Sequence, residues 1–263
     1  MVCGASAGLG RALATQLAAD QINDLVLIAR NPERIQQLAQ DLTAEYPAIH
    51  ALAFSVDVCD RSQVDACAQE LQSRIGPIDL LIHAVGQSDR GTIGGLGAQR
   101  LQDLFHANVL SSLNALQAFR PMLAKPTSVA VMIGSLAGLF APRYLGGYAI
   151  VKHGLSALAQ QSRLELADEG VHVMLACPGP IARQDTVRRY ESIAQTDMPE
   201  EALQPGGGAK LKGLEPAALA RDILRSAAKK KRMIIRPRSA RLLLALGAVS
   251  PWLGDYLLKK STS

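Results

Sequence analysis

The sequence predicts an α/β fold, a doubly wound parallel sheet of about seven strands with helices on both faces. Three observations predict it. Short apolar runs alternate with stretches of helical periodicity six or more times along the chain, the beat of strand–helix–strand units. A Gly-x-x-x-Gly-x-Gly loop, Gly4-Ala5-Ser6-Ala7-Gly8-Leu9-Gly10, stands directly before the first helical stretch. Each polar cluster with chemical potential follows the end of an apolar run, the edge at which open α/β sheets hold their ligands.

The bulk numbers frame this reading. The 263 residues, 48% of them apolar, suit one large α/β domain with a sizeable core. Cys3, Cys59, Cys67 and Cys177 form no CxxC pair and show no metal-ligand spacing, so reduced thiols and a cytoplasmic setting are expected, with no metal. The net charge of +5 is unevenly spread. Residues 203–263 carry 13 Lys/Arg against Glu215, Asp222 and Asp255, a local balance of about +10. That end suits an acidic partner or a membrane surface; no nucleic-acid partner is expected.

The elements follow in order. Only Met1, Val2 and Cys3 precede Gly4, fewer than the five or six residues of an ordinary strand. The first strand is therefore expected to be a stub or truncated, with a native start upstream of Met1. After the glycine loop, RALATQLAAD reads as helix, and Asp24–Ala29 as the second strand. Glycines at that point let backbone N–H groups close on a phosphate at the helix N-terminus. The second strand ends in Arg30-Asn31 with no acid beside it. In dinucleotide folds an acid there accepts from the 2′-OH of NAD, whereas an arginine suits the 2′-phosphate of NADP. A helix over Pro32–Tyr46, a strand over Ile49–Val56 and a helix over Arg61–Ile75 follow. The strand Asp79–His83 then runs into Ala84-Val85-Gly86. Residues Ala98–Leu123 read as one helix with Asn108 in its middle, a mediocre helix former whose amide competes for the backbone. Further strands are expected at Ser128–Ile133, Val171–Ala176 and Met233–Arg236, with helices from Tyr148 to about Ala167 and over 216–228. Residues 183–215 lose the rhythm and read as a lid. The end, SARLLLALGAVSPWLGDYLLKK, reads as two short apolar helices broken at Pro251, packed on the domain or a second chain, or lying in a membrane interface.

The stretch after Ile133 holds the strongest chemical signal. Ser135 follows the strand, a Gly/Pro-rich bend comes next, and Tyr148 stands four residues before Lys152. On a helix that spacing shares a face. A tyrosine keeps its proton to about pH 10, and a lysine ammonium beside it favours the phenolate. Such a tyrosine is a usable general acid or base.

Taken together these residues resemble the short-chain dehydrogenase/reductase family, from Gly4 to about Ile235, which implies a single Rossmann-type domain over 1–238 with 239–263 as a C-terminal extension. The resemblance implies a catalytic tetrad of Asn108, Ser135, Tyr148 and Lys152. It implies cofactor contacts from Gly4, Ser6, Gly8, Leu9, Gly10, Arg30, Asp57, Val58, Gly86, Tyr148, Lys152, Pro178, Gly179 and Ile181, with Asp57 at the adenine amino group and Pro178-Gly179 at the nicotinamide. Arg30 resembles NADP-preferring members, so NADP(H) is expected over NAD(H). The fragment Val85–Arg90, the Pro-Gly-Pro turn and the apolar basic end loosely resemble the branch acting on steroids, retinoids and lipid ketones. Three positions depart from the pattern: Cys3 replaces a threonine, His83-Ala84-Val85-Gly86 replaces Asn-Asn-Ala-Gly, and Arg183 replaces a threonine.

The implied reaction is hydride transfer between a nicotinamide and a hydrophobic ketone or aldehyde and its alcohol. Tyr148 is the acid or base, Ser135 holds the substrate oxygen, Lys152 tunes Tyr148 and meets the ribose, and Asn108 holds a water that relays protons. The substrate is expected between Leu139–Gly147, Gln87–Arg90 and the lid, against Leu139, Phe140, Tyr144 and Leu145. One alternative is a 3-oxoacyl-thioester reductase served by an acyl carrier protein. Another is a nucleotide-binding scaffold or redox sensor without turnover. A homodimer or homotetramer built on the helices at 98–123 and 148–167 is expected, as is peripheral membrane contact through 239–263.

Overall fold

A computed structural model describes residues 1–123, 126–182 and 212–261. Its centre is one seven-stranded sheet in the order β3-β2-β1-β4-β5-β6-β7, with every neighbouring pair parallel. The strands are β1 (Val2–Cys3), β2 (Asp24–Ala29), β3 (His50–Ser55), β4 (Leu80–His83), β5 (Val129–Ile133), β6 (His172–Pro178) and β7 (Met233–Arg236). Strands buried on both faces read as unbroken apolar runs, and β5 (VAVMI) is buried throughout. Two core clusters fill the two sides of the sheet. Alternation along β4 shows how: Leu81 joins one cluster and Ile82 the other, because successive strand side chains point to opposite faces. Among the described residues no helix is long and apolar enough to cross a membrane.

The first strand is the stub the sequence predicts, yet it is paired on both sides. Val2 stands opposite Leu27 and Ile82, and Cys3 opposite Ile28 and His83. Both are fully buried, and Ala84 N–H donates to Cys3 O at 2.9 Å. Two residues thus suffice to aim Gly4 out of the middle of the sheet. The strand order reverses between β1 and β4, and that switch point is where doubly wound sheets open a crevice.

Helices flank the sheet as α1 (Gly8–Ala19), α2 (Pro32–Glu45), α3 (Arg61–Arg74), α4 (Ala98–Phe105), α5 (Ser111–Phe119), α6 (Tyr148–Glu165), α7 (Pro216–Ala228), α8 (Ala240–Val249) and α9 (Pro251–Ser261). Two boundaries differ from expectation in an informative way. The helix expected over Ala98–Leu123 is broken by a π-turn at His106–Leu110 and closes in a 3₁₀ turn at Arg120–Met122. The sixth strand runs on to Pro178, because its last residues pair with β7, Cys177 opposite Ile235 and Pro178 opposite Arg236. The expected lid lies mostly outside the described residues, Arg183 included.

Candidate active site

The glycine loop leaves β1 through Gly4, whose φ of +86° is open to glycine at little cost. Gly10 lies against it so closely that a Cβ on Gly10 would stand 2.1 Å from Gly4 O. The loop delivers the N-terminus of α1 to the switch point. That terminus has no side-chain cap and no acid in its first turn. Side-chain caps close α2, α3 and α7, from Asn31, Asp60 and Glu215, while α4, α5, α6 and α8 share the uncapped start. Free N–H groups at a helix start, reached through a bare glycine turn, are a seat for phosphate. Around it, Ser6 is half-buried and Leu9 buried, and Arg30 is exposed at the end of β2. Asp57 is half-buried with Cys59 N–H donating to its Oδ1 at 3.0 Å, beside the buried Val58. On the far side Gly179 N–H donates to Arg236 O at 2.7 Å, which holds the Pro178-Gly179 turn, and Ile181 bridges to Leu214.

The second half of the site gathers at the ends of β4 and β5 and the start of α6. Tyr148 is the first residue of α6, and Lys152 lies one turn on, its Nζ 5.7 Å from the Tyr148 ring centroid. Lys152 is buried and donates to Ile133 O at 3.1 Å. Burial lowers its pKa to about 8, against a smaller opposing effect of Cys177. Ser135 caps the 3₁₀ turn Leu136–Gly138, accepting from Ala137 N–H at 3.1 Å. Ser156 ties that turn to α6 by hydrogen bonds to Gly138 O and Lys152 O. Gly138 has no room for a side chain there, since a Cβ would meet Lys152 O at 2.5 Å.

Asn108 completes the group through the π-turn. Its Nδ2 donates to Gln87 O and to Leu104 O, at 3.0 and 2.9 Å. Its Oδ1 is buried without a hydrogen-bond partner. One point near Gly86, where a Cβ would sit, lies 2.7 Å from that Oδ1 and 3.2 Å from Lys152 Nζ. Gly86 therefore has no room for a side chain and lets its backbone pack against both the orphaned acceptor and the buried cation. Buried polar atoms are rarely left unpaired, so the Asn108 Oδ1 and the Lys152 ammonium suit a hydroxyl or water partner. Together with the phosphate seat they fit a dinucleotide whose ribose reaches Lys152.

Two supporting serines, Ser111 and Ser112, carry little signal in the sequence, and one assignment changes. A π-turn shifts bonding to i−5, and here Ser111 N–H reaches His106 O. The buried hydroxyls of Ser111 and Ser112 take Ala107 O and Asn108 O, at 2.9 and 3.1 Å. The Ser112 hydroxyl also shares a hydrogen bond with His83 Nδ1 at 3.0 Å. His83 is neutral, because burial and then the Lys152 charge depress its pKa to about 3. His83 therefore pins the π-turn to the end of β4. The only sequence signal was a pair of serines inside an otherwise apolar helical stretch. Asp89 was expected in the substrate wall with Gln87–Arg90; instead Asp89 and Arg90 are buried. Asp89 Oδ2 accepts from Gly147 N–H at 3.0 Å, and its Oδ1 from the Arg100 guanidinium at 3.0 Å. Gly91 and Leu145 bridge beside it. Asp89 thus clamps the bend to the first turn of α6, next to Tyr148, and a buried carboxylate needs such partners. Leu145 is likewise buried, packed with Ala137 and Ala149 beneath Tyr148, which leaves Leu139, Phe140 and Tyr144 half-buried along the bend.

A parallel doubly wound sheet with a phosphate seat at its switch point and a Tyr–Lys pair beside it defines a dinucleotide-linked oxidoreductase site. Residues 1–192 match the family described as short chain dehydrogenase. The chain therefore belongs to the short chain dehydrogenase family, oxidoreductases acting on CH–OH groups. It is 28% identical to a ketoacyl reductase, HetN, of a Nostoc species over 98% of this chain and 87% of that protein. A short-chain dehydrogenase of Streptomyces avermitilis superposes with a TM-score of 0.79 at 25% identity, covering 100% of this chain and 97% of the other. A Burkholderia phymatum short chain dehydrogenase/reductase in complex with NAD shares the fold at 23% identity, TM-score 0.78, over 96% of this chain and 93% of the other.

Proposed function

We propose that the chain is an NADP(H)-dependent reductase or dehydrogenase interconverting an apolar ketone or aldehyde and its alcohol. The observation that carries this is the buried Lys152, set between the orphaned Asn108 oxygen and the Tyr148 ring at the ends of β4 and β5. The loop Gly4–Gly10 with Ser6, Gly8 and Leu9 would hold the phosphates, Arg30 the 2′-phosphate, and Asp57 and Val58 the adenine. Gly86 and Pro178, Gly179 and Ile181 would flank the nicotinamide. That cofactor, when bound, supplies or takes the hydride.

The remaining chemistry belongs to the chain. Tyr148 gives its proton to the substrate oxygen in reduction and takes it back in oxidation. Ser135 donates a hydrogen bond to the same oxygen as charge develops. Lys152, cationic below about pH 8, favours negative charge on the tyrosine oxygen. Asn108, fixed by the π-turn, keeps its unpaired Oδ1 near Lys152, where it would hold a water that relays protons. Leu139, Phe140 and Tyr144 favour an apolar substrate. In this reading residues 1–238 carry the reaction and 239–263 are an appended C-terminal extension. A second reading, reduction of a 3-oxoacyl thioester, is favoured by the likeness to the Nostoc ketoacyl reductase.

The test is a panel of ketones, aldehydes and 3-oxoacyl thioesters with NADPH and NADH, followed at the nicotinamide absorbance. Turnover of apolar ketones with NADPH is expected, and turnover confined to thioesters would select the second reading. Arg30→Asp is expected to raise KM for NADPH about 10- to 100-fold, the worth of a hydrogen bond to a charged group, and to spare NADH. Unchanged preference would remove Arg30 from the 2′-phosphate.

The outer faces of α4 and α6 expose Phe105, Ile150 and Leu164. Large apolar side chains on two adjacent helices suit burial against a second copy, and we place a homodimer or homotetramer interface there. Light scattering is expected to show at least a dimer, and Ile150→Glu/Leu164→Glu should leave a monomer.

A further inference from the structure

The C-terminal helices carry a feature that the reaction does not use. Helices α8 and α9 form a tight hairpin. Gly254 of α9 is buried against Gly247 of α8, and a Cβ on Gly254 would lie 2.9 Å from Gly247 Cα. Ser250 Oγ accepts from Leu253 N–H at the joint. On the inner side Ala240 and Leu244 pack against the core cluster. The outer side is apolar and built into the fold, yet nothing among the described residues covers it. Leu242 is 67% exposed, Val249 88%, Trp252 75% and Tyr256 52%. Trp252 and Tyr256 stack with centroids 5.9 Å apart, one turn of α9 from each other. Arg238 and Arg241 stand at one end of the hairpin sequence and Lys259 and Lys260 at the other, with Asp255 as its one acid. All four cations are exposed.

We propose that this hairpin face docks on the surface of an anionic phospholipid bilayer. Amphipathic helices with an aromatic and aliphatic face bordered by Lys and Arg lie in the plane of a bilayer interface. Trp and Tyr favour the headgroup level, where one part of the ring system is apolar and the other wet. Charge complementarity favours a bilayer as the occupant. The hairpin carries Arg238, Arg241, Lys259 and Lys260 against the single acid Asp255. An anionic leaflet supplies the opposite charge, whereas an isologous contact with a second copy offers only a patch of the same sign. The proposal stands independently of the substrate reading, since it uses no residue of the active site.

Trp252 is the only tryptophan of the chain, so the full-length protein reports on its own docking. Vesicles of phosphatidylcholine containing phosphatidylglycerol are expected to float the protein and shift its tryptophan emission to the blue. Neutral phosphatidylcholine vesicles should recover much less. Lys259→Gln and Lys260→Gln are each expected to weaken recovery about fivefold, the factor matching about 1 kcal/mol per basic residue near such a surface. Val249→Ser/Trp252→Ser should abolish it while NADPH turnover in solution persists. An emission spectrum indifferent to anionic vesicles would overturn the proposal, as would equal recovery on neutral ones. A dimer that dissociates in Val249→Ser/Trp252→Ser would give the face to a second copy and overturn it equally.

Discussion

Replacing Tyr148 by phenylalanine is expected to lower kcat by about 10²- to 10⁴-fold, the usual contribution of a positioned general acid or base. At 1.36 kcal/mol per decade, that is about 2.7–5.4 kcal/mol of lost transition-state stabilisation. The substitution isolates the hydroxyl. The ring rests on the small cluster of Ala137, Leu145 and Ala149, and phenylalanine keeps that contact. The Lys152 ammonium, 5.7 Å from the ring centroid, keeps its hydrogen bond to Ile133 O. The glycine loop is untouched. The fold and NADP(H) binding should therefore survive, as read by thermal unfolding and nucleotide titration. Near-normal turnover in Tyr148→Phe would remove Tyr148 from the chemistry. A loss of nucleotide affinity in step with kcat would assign it to binding instead.

Much of this site was legible because its residues announce themselves locally. Glycine spacing before a helix, a serine after a buried strand and a Tyr–Lys pair one turn apart are short-range patterns with a direct physical meaning. Strands β2, β5 and β7 were equally plain, since double burial leaves unbroken apolar runs. What stayed hidden depends on distant partners. The π-turn keeps helical periodicity on either side of Asn108, so residues 98–123 read as one helix; only the pairing of Ser112 with His83, 29 residues away, explains why the turn holds. Asp89 read as part of the substrate wall at Gln87–Arg90. Its partners, Arg100 and Gly147, lie 11 and 58 residues away. A buried carboxylate cannot be recognised from sequence until those partners are known. The hidden partners act on the signals that were visible: Ser112, with His83, through Asn108, and Asp89 through the helix start that carries Tyr148.

Gly10→Ala is expected to be the most damaging change at the cofactor end. The new methyl would stand 2.1 Å from Gly4 O and 2.8 Å from Gly4 C, and both are backbone atoms that no rotamer change can move. Relief requires α1 to back away from β1 or Gly4 to leave its φ of +86°. Either motion disperses the N–H groups at the start of α1 that form the phosphate seat. Overpacking of this kind costs about 1–3 kcal/mol, and a chain of about this size loses roughly 2–4 °C of Tm per kcal/mol. Tm should fall by several degrees, and NADP(H) affinity by more than the tenfold that about 1.4 kcal/mol represents. Gly76→Ala supplies the control, because a Cβ there meets nothing within 4 Å and should leave both quantities as they were. If Gly10→Ala lowers Tm while titrating normally with NADP(H), the loop is a packing device and the phosphate seat lies elsewhere. If affinity collapses more steeply than stability, the closeness of Gly10 to Gly4 is what shapes the seat. The two-residue strand Val2–Cys3 then has a function out of proportion to its length, since, with the Gly4 N–H donating to Ile28 O at 2.8 Å, it fixes where Gly4 emerges between β2 and β4.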